Sequence, residues 1–145
     1  RKKEKNSIKK TSSEYFSEKK FTSFPLNPKL ISTLESLGYI TATKIQNESI
    51  PQILDSKDII GQAKTGSGKS LAFLIPAANI ILSLKKEIEG ILILIITPTR
   101  ELAMQLYDLA KDILIDNGTI CTLVIGGGNR KKESEKISSN KIISE

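Results

Sequence analysis

Ala63-Lys64-Thr65-Gly66-Ser67-Gly68-Lys69-Ser70 is the stretch on which the reading of this 145-residue chain turns. Glycines let a backbone curl so that successive N–H groups point inward, as the oxygens of a polyphosphate require. A helix beginning near Lys69 adds the positive end of its dipole. Lys69 supplies a mobile cation for the outer phosphates, and the Ser70 hydroxyl is a ligand suited to Mg²⁺. The usual pattern opens with Gly where this chain has Ala63, the smallest alternative at a structural position. A flexible Gly/Ser turn with an incidental lysine is the competing reading, and it turns on whether a strand precedes the loop and a helix follows it.

The flanks predict that setting. Asp58–Gln62 reads as a short strand, and Lys69 to about Leu84 as a helix bent at Pro76. Ile91–Thr97 is an unbroken apolar run of the kind buried on both faces of a parallel sheet. Thr99–Asn117 follows as a helix ended by Gly118, with Leu102, Leu106, Leu109 and Ile113 on one face. Thr119–Ile125 reads as a third strand, Gly126–Gly128 as a turn, Asn129–Ser138 as a polar helix and Lys141–Ser144 as the start of a fourth strand. The alternation predicts an α/β fold, a doubly wound and mostly parallel sheet with helices on both faces and ligands at the strands' carboxyl ends.

Upstream, Asn27-Pro28 reads as a helix cap with proline at the first helical position, and Gly38 as the residue past its end. Leu30, Ile31, Leu34 and Leu37 fall on one face of that helix. A second helix opens at Thr43 and carries Ile45, Ile50, Ile53 and Leu54, with Pro51 either kinking it or starting a new turn. Thr43 and Gln46 have the T-x-x-Q spacing of a capping box, so Gln46 has a local use open to it.

Charge is unevenly distributed. The net +6 resolves into +5 on residues 1–20, from eight Lys/Arg against three Glu, and +1 on residues 21–145. Pronounced basicity is therefore a property of the tail and is poor evidence for a basic groove on the body. Composition predicts that residues 1–20 are a solvated, disordered tail, with localisation or RNA attraction as its functional alternatives. The single Cys121 forms no internal disulfide, and without histidine the chain lacks the usual zinc ligand sets. Cys121 lies in an apolar run and reads as a small buried hydrophobe. No apolar run approaches the ~20 residues of a membrane span, and no secretory signal is visible, so an intracellular setting is expected.

Four segments, taken together and in order, resemble the DEAD-box ATP-dependent RNA helicases over Phe21 to Glu145. Gly38-Tyr39-Ile40-Thr41-Ala42-Thr43-Lys44-Ile45-Gln46 is similar to the family's Q motif, and Phe21 stands at the position of its isolated upstream aromatic. The loop at 63–70 resembles motif I. Pro98-Thr99-Arg100-Glu101-Leu102-Ala103-Met104-Gln105 resembles motif Ia, and Gly126-Gly127 the double-glycine motif. Ala42 replaces the family's usual Pro, and Ser70 its usual Thr. The Ala42 site, Ala63–Pro76 and Gly127–Arg130 look most like the nucleolar ribosome-biogenesis branch.

The resemblance implies a RecA-like lobe. Its ligand would be ATP with Mg²⁺, held by Ala63, Lys64, Thr65, Gly66, Ser67, Gly68, Lys69 and Ser70. Within that set Lys69 and Ser70 would serve phosphoryl transfer, with Ser70 the Mg²⁺ ligand. Gln46 would read the Watson–Crick-type edge of adenine and Phe21 would stack on the ring. Pro98, Thr99, Arg100 and Gly127 would lie by the RNA sugar-phosphate backbone, making recognition largely sequence-independent. Local alternatives stay open: staple packing for Phe21 beside Phe24, a plain turn for Gly126–Gly128, and pairing with Glu101 or Asp108 for Arg100.

Arg100 carries an argument of its own, since arginine occurs only at positions 1, 100 and 130 among 22 basic residues. A planar guanidinium where the chain otherwise uses lysine suits bidentate phosphate binding. The family's later motifs, among them the Asp-Glu-Ala-Asp run, and a second RecA-like lobe are expected beyond Glu145. The chain alone is thus expected to be the N-terminal part of the first lobe, binding nucleotide without hydrolysing it efficiently. ATP or ADP, RNA, the second lobe and pre-ribosomal proteins are the expected partners, and the nucleus or nucleolus is favoured over the cytoplasm. A small-molecule kinase and a nucleotide-independent RNA-binding module are the rival functions.

Overall fold

In the computed structural model of the chain, residues 16–84, 90–114, 120–126, 131, 134 and 135 are described. The chain divides into two compact units, Arg1–Ile80 and Ile81–Glu145.

The first unit opens with β1 (Phe16–Lys20), which continues into a 3-10 turn at Phe21–Ser23. Helix α1 (Pro28–Ser36) starts where Asn27 predicts it: the Asn27 side chain accepts the Lys29 N–H at 3.0 Å, and Pro28 occupies the first turn without wasting a donor. Such a cap contributes about 1 kcal/mol. Gly38 ends the helix with φ +83°, a conformation that costs a glycine little. Leu30 and Leu34 are buried, but Leu37 is exposed, because it is the capping residue and its side chain leaves the helical face.

β2 (Thr41–Thr43) pairs antiparallel with β1, with Phe16 opposite Thr43, Lys20 opposite Thr41, and an irregular register between them. The Ser17 hydroxyl donates to the Ala42 carbonyl at 2.8 Å. Ordering therefore reaches back to Phe16, into the stretch whose composition groups it with the tail. β2 runs directly into α2 (Lys44–Leu54). Pro51 lies inside α2 and neither breaks it nor begins a new element.

Helix α3 (Lys69–Ser83) is apolar over most of its circumference, and Leu71, Ala72, Leu74, Ile75, Pro76 and Ala78 are buried. A helix apolar all round belongs in a core. Helix α4 (Arg100–Leu114) lies in the second unit, with one acidic residue, Glu101, in its first turn and Lys111 in its last. Both placements complement the helix dipole. Leu106 and Ile113 of its predicted face are buried, and Leu102 and Leu109 half-buried.

The predicted strands require correction. Among the described residues the one ladder is β1–β2, and Asp58–Gln62, Ile91–Thr97 and residues 120–125 carry neither helix nor ladder. The physical reason is that a strand exists through its neighbours' hydrogen bonds, which an apolar run cannot supply to itself. Ile60, Ile91, Leu94 and Ile96 are correspondingly exposed. Cys121 is half-buried and not fully enclosed. The predicted strand at Lys141–Ser144 and Gly127 and Gly128 of the glycine turn lie outside the described residues. No described helix is long and apolar enough to cross a membrane.

Candidate functional site

The loop at 63–70 leads directly into α3, so Lys69 and Ser70 form the first turn of that helix. Gly66 and Gly68 take φ of +78° and +86°, the left-handed conformations that the glycine pattern anticipates. The Lys69 ammonium turns back on its own loop and donates to the carbonyls of Ala63 and, at 2.7 Å, of Lys64. Ser67 N–H donates to the Lys64 carbonyl at 3.3 Å. The Ser67 hydroxyl has no partner, and among the described residues it is the one buried side-chain polar atom so left. A buried polar group without a partner costs free energy that a ligand can recover. That orphan hydroxyl, the nearby ammonium and the curled backbone fit a polyphosphate, and the half-buried Ser70 hydroxyl beside them is a hard oxygen donor suited to Mg²⁺.

Gln46 joins this loop to the upstream segment. It is only 2% exposed. Its Oε1 accepts the Thr43 N–H at 2.8 Å, and its own N–H donates to Thr43 Oγ1 at 3.5 Å, which completes the capping box. Its Nε2 then donates to the Gly68 carbonyl at 3.1 Å, a carbonyl that also accepts the Ala72 N–H at 3.1 Å. The local capping use is thus realised, and the same side chain reaches twenty-two residues ahead into the loop. A primary amide carries two donors and two acceptor lone pairs, so Gln46 keeps one of each unspent. Gly68 is the residue this contact demands: a Cβ there would collide with Gln46 Nε2 and stand 3.1 Å from Thr43 Oγ1.

Phe21 is placed less openly than its predicted stacking role asks. It is 1% exposed and tilted against Phe24 at 6.1 Å between centroids, the staple-like packing left open above. Its N–H donates to the Ile40 carbonyl at 3.1 Å, which holds it beside the entry to β2. Stacking on a base requires this ring to be uncovered first.

In the second unit, Pro98, Thr99 and Arg100 form one cluster at the start of α4. Thr99 caps the helix, its hydroxyl accepting the Leu102 N–H at 3.2 Å and its carbonyl accepting the Ala103 N–H at 3.1 Å. Arg100 is exposed and pairs with neither Glu101 nor Asp108. Gly127 lies outside the described residues.

Ser67, expected in the loop's phosphate-holding set, offers a buried unpartnered hydroxyl as well as its backbone. Asn79 lies outside every motif, yet a lone amide in the apolar run Leu71–Leu82 is a signal, since buried polar groups need partners.

The loop opens a helix with two left-handed glycines and a lysine in its first turn, the arrangement expected of a phosphate-binding α/β protein. Residues 43–144 match the DEAD/DEAH box helicase family model, and the chain belongs to that family. It is 44% identical over 119 residues to the ATP-dependent RNA helicase HAS1 of Saccharomyces cerevisiae, covering 81% of this chain and 24% of that protein. It is 42% identical over 121 residues to the ATP-dependent RNA helicase has1 of Emericella nidulans, covering 83% and 20%. The chain thus spans about a fifth to a quarter of the length of these curated relatives. Among solved structures, a DEAD box protein of Methanococcus jannaschii matches with TM-score 0.66 and 29% identity, covering 81% of this chain and 32% of that one. The RNA helicase Prp28 of Chaetomium thermophilum, bound to ADP, matches with TM-score 0.66 and 34% identity, covering 75% and 27%. The fold is the RecA-like α/β fold of these proteins.

Proposed function

We propose that this chain is the ATP-binding part of an ATP-dependent RNA helicase that locally unwinds or remodels RNA or RNA–protein complexes, in ribosomal RNA processing. Residues 21–145 form the N-terminal portion of its first RecA-like lobe, which closes on RNA together with a second lobe. The observation that carries the reading is the Gln46 Nε2 bond to the Gly68 carbonyl, which makes the candidate adenine reader and the phosphate loop one continuous site.

In this reading the backbone of 63–68 and the Ser67 hydroxyl hold the outer phosphates, and Lys69 exchanges its two carbonyl partners for phosphate oxygens. Ser70 ligates Mg²⁺, which when bound neutralises charge on the phosphates. Gln46 uses its unspent donor and acceptor on the base, and Phe21 is uncovered to stack on it. Pro98, Thr99, Arg100 and Gly127 contact the RNA backbone, Arg100 through its exposed guanidinium. Relatives named HAS1 and the resemblance to the nucleolar branch support a role in ribosome biogenesis, with pre-ribosomal proteins as partners and the nucleolus as location.

Titration calorimetry tests this. ADP and ATP are expected to bind weakly and GTP far less well, with loss of the preference in Gln46→Ala. Tight GTP binding overturns the adenine assignment, and transfer of phosphate to a small-molecule acceptor moves the chain to the kinases.

A further inference from the structure

Asn79 is the amide that the apolar sequence of α3 does not explain. It is 9% exposed, ten residues beyond Lys69 on the helix that the phosphate loop opens. Its Oδ1 accepts the backbone N–H of Asn27, fifty-two residues earlier, at 2.7 Å. Asn27 in turn caps α1 with its own side chain. The segment between Phe21 and Asn27 is thereby held at both ends. At its start the Phe21 N–H is bonded to the Ile40 carbonyl, one residue before β2, and at its finish Asn79 fixes it to α3. Phe24 N–H to the Phe21 carbonyl and Leu26 N–H to the Phe24 carbonyl stiffen the span between.

We infer that Asn79 is a positioning residue for base recognition, setting Phe21 and the Ile40–Thr43 entry to Gln46 relative to the helix that carries the phosphate loop. The inference rests on the adenine reading above and goes beyond it by naming a residue no motif contains. An apolar residue at 79 leaves the part-buried Asn27 N–H without its acceptor. The segment's end then loses this tie to α3, while the loop's own bonds, Lys69 to Ala63 and Lys64 and Gln46 to Gly68, involve no atom of Asn79. The loss should fall on the base and spare the phosphates.

The test compares ADP with tripolyphosphate, which has phosphates and no base, by calorimetry on the intact chain and on Asn79→Ala and Asn79→Asp. ADP affinity is expected to fall about tenfold in Asn79→Ala, with tripolyphosphate affinity unchanged. Asn79→Asp keeps an acceptor at the same reach and is expected to retain more ADP affinity than Asn79→Ala. Equal losses for both ligands in Asn79→Ala would reduce Asn79 to a structural residue and overturn the inference. So would unchanged ADP affinity in Asn79→Ala. Should Asn79→Ala not fold, Asn79→Leu, which removes the acceptor while keeping side-chain volume, takes its place and is read by the same two criteria. A parent chain that binds ADP no better than tripolyphosphate is a different result, and defeats the adenine reading itself.

Discussion

Replacing Gly68 with alanine separates two costs that glycine avoids at once. The backbone cost comes from φ +86°, a left-handed conformation worth about 1–2 kcal/mol against a residue with a Cβ. The contact cost comes from Gln46 Nε2, on which that Cβ would land, and from Thr43 Oγ1 and Cγ2 at 3.1 and 3.2 Å. Gln46 is buried and can give way only by surrendering its bond to the Gly68 carbonyl and straining the one to Thr43, each worth about 1 kcal/mol net. The expected destabilisation is about 3–4 kcal/mol. Gly66 is the internal control: φ is +78°, and a Cβ there meets nothing within 4 Å, so only the backbone cost of about 1–2 kcal/mol applies. Urea unfolding with unchanged m-values measures both. A Gln46→Ala background should shrink the Gly68→Ala cost, because the colliding atom is gone. Equal costs for the two glycines, or no coupling to Gln46, would refute the claim that Gly68 exists to admit this side chain.

Lys69→Ala should abolish adenine-nucleotide binding in calorimetry while shifting the melting temperature little, because the lysine's partners are two carbonyls of one partly exposed loop. A collapsed fold would show the lysine to be structural. Removing residues 1–15, with six Lys/Arg and two Glu, should flatten the salt dependence of RNA affinity, whereas an unchanged slope would place the basic surface on the body. Arg100→Lys should weaken RNA binding severalfold despite keeping the charge, and equal affinity would argue against a bidentate phosphate grip. Burial pushes the Cys121 thiol above its ordinary pKa, with Lys111 opposing more weakly. The folded state therefore holds this proton after the unfolded chain has lost it, so stability should decline as pH rises above the ordinary thiol range. Alkylation at pH 8 should accordingly be slower in the folded protein than in urea, and equal rates would remove the desolvation argument.

Local rules predicted local structure well, and their failures are of one kind. Asn27-Pro28, Thr43 with Gln46, and the glycines at 38, 66 and 68 each impose a conformation through their own atoms, and each stands where the pattern put it. Ile91–Thr97 is the contrary case. An apolar run declares that it wants cover, but which backbone will pair with it is information held by other segments. Phe16–Lys20 inverts the lesson: its polar composition speaks against order, yet a ladder to Thr41–Thr43 and the Ser17 hydroxyl order it. At the candidate site, the loop was legible because its chemistry is contiguous. The Gln46 bridge to Gly68 and the Asn79 bond to Asn27 were not, since they span twenty-two and fifty-two residues.

The inward-turned Lys69 gives the loop an occupant of its own. Its ammonium already satisfies two carbonyls, so a phosphate bound there as proposed would displace a partner as well as gaining one. Affinity then reflects the difference between two sets of bonds, not the sum of one. A site built as an exchange equilibrium grips modestly and lets go readily, because departure restores bonds that arrival broke. In the nucleotide site proposed above, a lysine with carbonyls to return to makes the net affinity smaller than its phosphate contacts alone would give.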